Sequence, residues 1–80
     1  MARIIDGEKM NMVGVQVRKF RKELKISQKT LSERLETEAV YICRGSISRI
    51  EDGTRTVSDI ELYGVSKVLK KPMESFFNNE

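Results

Sequence analysis

Apolar positions along this chain recur three and four residues apart and fall into short groups, the period of amphipathic helices rather than strands. Val13, Val17, Phe20 and Leu24 form the first group, and their spacing predicts a helix that starts after Asn11 as N-cap. Ile26 closes that element, and Ser27 stands ready to cap the next. A second helix is predicted from about Gln28 to Glu36 or slightly beyond, with Leu31 and Leu35 on its inner face and Ser32 small enough for close helix approach. The pattern then changes. Ala39-Val40-Tyr41-Ile42-Cys43 is rich in β-branched residues and poor in helix formers, which predicts an extended or irregular turn. Its alternation places Val40 and Ile42 inward, with Glu36, Thr37 and Glu38 facing water. The helical period returns from Arg44 to Asp52, where Ile47 and Ile50 face the core and Gly53 is placed as the C′ residue.

A polar loop, Thr54 to Val57, follows. Ser58 with Glu61 three residues on is a capping-box pattern, opening a fourth helix whose buried stripe is Leu62, Val65 and Leu69, with Val68 beside it. Pro72 suits the first turn of a short fifth helix, whose apolar residues are Met73, Phe76 and Phe77. These elements predict an all-α fold of five short helices. The chain divides into an N-terminal arm (1–12), a helical domain (13–77) and a tail (78–80). Ile4 and Ile5 of the arm are candidates to dock on the domain, and Asn78-Asn79-Glu80 is expected to fray.

Composition narrows the function. Eighty residues make one small domain, 39% apolar and 34% charged, with no apolar run near the ~20 residues of a membrane helix. Asp6, Glu8 and Lys9 interrupt any signal-peptide-like stretch, so cytoplasm is the expected compartment. The chain has no histidine and a single cysteine. A disulfide framework, zinc-finger spacing and histidine-based catalysis are therefore excluded. No paired carboxylates, nucleophile–base set or phosphate-cradling glycine loop occurs, so neither an enzyme nor a cofactor or metal site is expected. Cys43, next to apolar Ile42, reads as a small packed residue rather than a redox sensor. Tyr63 reads as capping the core edge, and Tyr41 is open. The net charge of +3 is uneven: residues 1–26 carry seven Lys/Arg against three Asp/Glu. Arg18, Lys19, Arg21, Lys22 and Lys25 form a basic stretch that permits nucleic acid without demonstrating it.

The order of motifs carries more. Val17-Arg18-Lys19-Phe20-Arg21-Lys22 precedes Ser27-Gln28, then Leu31-Ser32, then Ile47-Ser48-Arg49-Ile50-Glu51-Asp52-Gly53. Together with Leu62, Val65, Leu69 and the stretch Met73 to Phe77, this resembles the Cro/CI (XRE-type) helix-turn-helix family, over about Gly14 to Phe77. The resemblance implies a compact five-helix, lambda-repressor-like domain that lays its second helix across DNA and places the third in the major groove. Two departures stand out. The turn between helices 2 and 3 is about five residues longer than in the phage members, with Ala39 where some long-turn relatives have glycine. Ser32 also replaces the common alanine.

The resemblance and the pattern together assign roles. Arg44, Gly45, Ser46, Ser48 and Arg49 lie opposite Ile47 and Ile50, so they project outward as candidate base contacts. Arginine can read guanine through O6 and N7, serine can bond a base edge, and glycine permits close approach. Gln28 occupies the phosphate-clamp position of the family, with Lys29, Thr54 and Arg55 as further phosphate contacts. Arg21 and Glu51 match an ion pair that fixes the angle between helices in the phage relatives. Met73, Phe76 and Phe77 are candidate dimer contacts, because so small a terminal helix cannot bury all three. The resulting expectation is a DNA-binding transcriptional regulator, a repressor acting as a homodimer on double-stranded DNA. The alternative is a protein-interaction module, such as an antitoxin-like partner binder, on the same fold without specific DNA binding. The exposed acids Glu33, Glu36 and Glu38 lean that way, and the outward Arg44 and Arg49 lean against it.

Overall fold

The computed structural model describes residues 9–77. Among these residues the chain forms four α-helices: α1 (Gly14–Glu23), α2 (Gln28–Thr37), α3 (Arg44–Asp52) and α4 (Asp59–Leu69). A terminal 3-10 helix (Met73–Phe77) follows them. The expected fifth α-helix is thus a 3-10 helix of five residues, fewer than two turns long. Ile4, Ile5 and the tail 78–80 lie outside the described residues. Among the described residues no helix is long and apolar enough to cross a membrane.

The apolar stripes meet in one core. Val13, Val17 and Phe20 of the α1 side pack with Leu31 and Leu35 of α2, Ile47 and Ile50 of α3, and Leu62, Val65 and Leu69 of α4. Phe76 closes the bottom, its ring edge-on to Phe20 at 5.1 Å between centroids. Val40 and Ile42 are both buried while Tyr41 between them is exposed, so the turn contributes two core residues through strand-like alternation. The hydroxyl of Ser32 donates to the Ile42 carbonyl at 2.7 Å. An alanine there would leave that carbonyl without this partner.

Leu24 departs from the expected stripe. It is the C-cap of α1 and is 39% exposed, because the chain turns left-handed at Lys25 and leads Leu24 away from the core. Tyr63 is likewise exposed rather than at the core edge.

All four helices end in the same way. The N–H two residues beyond each C-cap bonds back to the C3 carbonyl, and the N–H before it bonds to the C2 carbonyl, as in Val40 to Leu35 and Ala39 to Glu36. This is the Schellman arrangement, which needs a left-handed residue at C′. Gly53 supplies it for α3, but Lys25, Ala39 and Lys70 supply it for the others.

Residues 9–12 are tied into the domain rather than free of it. Met10 N–H donates to the Gly53 carbonyl at 2.7 Å, and Lys9 Nζ donates to the Asp52 carbonyl. Asn11 is the node. Its Oδ1 accepts from Val13 and Gly14 N–H, while its Nδ2 donates to the carbonyls of Ile50 and Arg55. The N-cap of α1 is therefore Val13 and not Asn11 as expected, because the Asn11 side chain ties two carbonyls of the α3 side to the N–H groups of Val13 and Gly14 before the helix begins. Gly14 itself touches α3 so closely that a methyl there would run into the Ile50 carbonyl.

Candidate nucleic-acid interface

The outward surface of α3 is built by elimination. Ile47, Ile50 and Glu51 are buried, which leaves Arg44, Gly45 and Arg49 exposed, with Ser46 and Ser48 half-buried. Arg44, Gly45 and Ser48 share a shallow cleft with Gln28, the first residue of α2. Ser27 caps that helix, its Oγ accepting from Thr30 N–H at 3.0 Å. Arg49 lies on the flank, where its Nη2 donates to Ser46 Oγ at 3.1 Å. Three of the candidate base contacts, Arg44, Gly45 and Ser48, thus adjoin the candidate clamp Gln28, whereas Ser46 lines a separate cleft with Tyr41 and Cys43.

Beneath that surface sits a buried ion pair. Arg21 Nε and Nη2 reach the two oxygens of Glu51 at 2.7 and 3.0 Å, and Arg21 Nη1 donates to the Ile26 carbonyl. This carboxylate pushes the Arg21 pKa up, outweighing the opposing effect of burial. Gln28 Nε2 adds a bond to Glu51 Oε1 at 3.1 Å. One carboxylate near the end of α3 therefore joins the last turn of α1 to the first of α2. Removing either charge from such a pair costs roughly 3–5 kcal/mol, because the other is left stranded.

The remaining candidates are distributed differently. Lys29 is exposed beside Gln28. Thr54 spends its hydroxyl on the Arg49 carbonyl. Arg55 is held in a fork by Glu61 at 2.9 and 3.0 Å, and it also donates to the Thr56 carbonyl. Glu61 at the same time receives the Ser58 N–H and completes the capping box of α4. The Arg55 guanidinium holds the Glu61 carboxyl below its ordinary range. Arg55 thus locks the loop 54–57 to α4, a role not visible in its sequence.

Two residues require correction. Phe76 is fully buried and packed edge-on against Phe20, so it is part of the core and is not available as a dimer contact. Met73 is half-buried against the core and Phe77 stays 48% exposed; these two line an apolar groove with Met10, Met12, Val57 and Leu62. Cys43 is exposed rather than packed, at the N-cap position of α3. Its thiol lies 3.4 Å from Ser46 Oγ, and that hydroxyl, helped by the adjacent backbone N–H groups, lowers the thiol pKa. The signal missed for Cys43 was positional, since an N-cap side chain points away from the core that follows. Among the described residues, no group of three His, Cys, Asp or Glu side chains is arranged to hold a metal ion.

Comparison with known proteins adds two findings. The profile of a helix-turn-helix family matches residues 17–76, well over half of the chain. The crystal structure of the restriction-modification controller protein C.AhdI from Aeromonas hydrophila superposes with a TM-score of 0.70 at 22% identity, covering 80% of this chain and 86% of that one. At that identity the likeness bears on the fold. No curated protein matches the chain.

Proposed function

This chain belongs to the Cro/CI-type helix-turn-helix family of DNA-binding regulators, and from that premise we propose that it is a sequence-specific repressor that seats α3 in the major groove. The observation that carries the proposal is the cleft that Arg44, Gly45 and Ser48 share with Gln28, with Arg49 exposed on the same helix. A helix fits the major groove, where each base pair displays a distinct pattern of donors and acceptors. Arg44 and Arg49 bring charge-assisted donors to that pattern, and Gly45 lets the helix backbone come close. Gln28 and Lys29 grip the flanking phosphates, with Thr54 and Arg55 behind α3. Arg55 contributes chiefly by holding its loop, since three of its five N–H donors are already used within the chain.

A single helix reads only a few base pairs, so the working form is a symmetric homodimer on paired half-sites about one helical turn apart. Met73 and Phe77, around the apolar groove, are its proposed contacts. Binding of the purified protein to labelled duplex, titrated with salt, tests the function. Affinity should fall steeply as salt rises and should differ between duplexes of different sequence. Absence of duplex binding at low salt would leave the protein-interaction reading in its place.

A further inference from the structure

Glu51 does more than fix how α1 crosses α3. Its side chain is only 2% exposed, and three N–H groups converge on it: two from Arg21 and one from the Gln28 amide. Arg21 alone already satisfies and neutralises the carboxylate in a two-pronged fork, so the third bond matters chiefly for Gln28. An ionised carboxylate can only accept. It admits the NH2 end of the Gln28 amide and refuses the carbonyl end. The amide therefore stands in one orientation, at the edge of the cleft shared with Arg44, Gly45 and Ser48, with its second N–H still uncommitted. The charge balance agrees. A bare carboxylate behind a phosphate-gripping amide would repel the phosphate, and Arg21 cancels that charge from the buried side.

We propose that Glu51 is a positioning residue for the phosphate contact of Gln28, so that one buried network sets both the helix crossing and the grip on the nucleic-acid backbone. The proposal rests on the DNA-binding reading above, and the group gripped is a backbone phosphate.

The probe is a labelled duplex of about 20 base pairs, two helical turns, titrated at several salt concentrations. The Gln28 amide is neutral, so its loss removes a hydrogen bond to a charged group and leaves the number of ion-paired phosphates, and hence the salt slope, unchanged. Gln28→Ala should therefore weaken binding by roughly tenfold or more at every salt concentration. Arg21→Met with Glu51→Gln removes the two buried charges together and strands neither. Checked for helix content and a cooperative melt, that protein should show the same weakening, and adding Gln28→Ala to it should weaken binding no further. A purely structural role would lower the melting temperature but keep the wild-type affinity, with the Gln28→Ala loss fully expressed in the altered background; that result overturns the proposal. Gln28→Ala binding as tightly as the wild type would also overturn it, because Glu51 would then have no contact to position, while DNA binding itself would stand. A wild-type protein that binds no duplex would remove the DNA-binding reading, and this proposal with it.

Discussion

Arg49 and Arg55 carry the same guanidinium six residues apart, yet their surroundings give them different work. Arg49 is exposed on α3 and is steadied by one serine hydroxyl. Arg55 is forked onto Glu61. Arg49→Ala should therefore cost ~1–3 kcal/mol on the preferred duplex and relax preference at one base position, measured by binding to single-position variants of that duplex. Arg55→Ala should weaken all duplexes alike and lower the melting temperature as well. Cys43 offers a second probe of the same face. Its lowered thiol pKa favours the reactive thiolate, so a maleimide should label it quickly in the free protein. Bound duplex should slow that labelling. Equal rates with and without DNA would place the N-terminus of α3 outside the interface. The sequence could not disclose the Arg55–Glu61 fork, because the capping box already accounted for Glu61. It also could not say which of Met73, Phe76 and Phe77 turns inward, because an element of fewer than two turns is too short to show a period.

Among elements, the bounds of α3 and the start of α4 were legible because their signals are explicit: Gly53 at one, Ser58 and Glu61 at the other. The end of α4 carried no such signal, because Lys70 rather than glycine takes the left-handed position. The ends of α1 and α2 were blurred for a physical reason. Lys25 and Ala39 take the left-handed conformation that usually announces itself as glycine. A non-glycine residue there costs roughly 1 kcal/mol, partly offset by glycine's greater freedom in the unfolded chain. Ala39→Gly should then raise stability by about 0.5–1 kcal/mol, seen as a higher urea midpoint with an unchanged slope. A lower midpoint would mean that the turn is not held by its Schellman bonds. The junction of the 54–57 loop with α4 should also respond to acid. Glu61 has a depressed pKa in the folded state, so the unfolded chain binds its proton first and stability rises with pH across that window. The contribution is complete above the ordinary value of 4.5 and is lost as pH falls through the folded value. Glu61→Gln should therefore be less stable than wild type at neutral pH, with the gap closing in acid. A gap that persists unchanged to low pH would contradict the charge-based account.

At the scale of the whole molecule, the core was readable from spacing because each helix is amphipathic, and Val40 and Ile42 followed from alternation within the turn. The ties that make α3 a fixed platform were only partly readable. The Arg21–Glu51 pair rested on resemblance, whereas Asn11 bridging the start of α1 to Ile50 and Arg55 joins residues some forty positions apart and leaves no local pattern. Those ties hold α3 to its neighbours, so in the proposed role it would meet DNA without first having to order itself. Selection of bound duplexes from a random pool by the purified protein tests that role most directly. The expected outcome is enrichment of one sequence as two symmetry-related half-sites about one helical turn apart, with one position of each half-site losing its preference when Arg49→Ala protein is used. A pool left unenriched by the wild-type protein, or the same sequence enriched equally well by Arg49→Ala, would contradict the account.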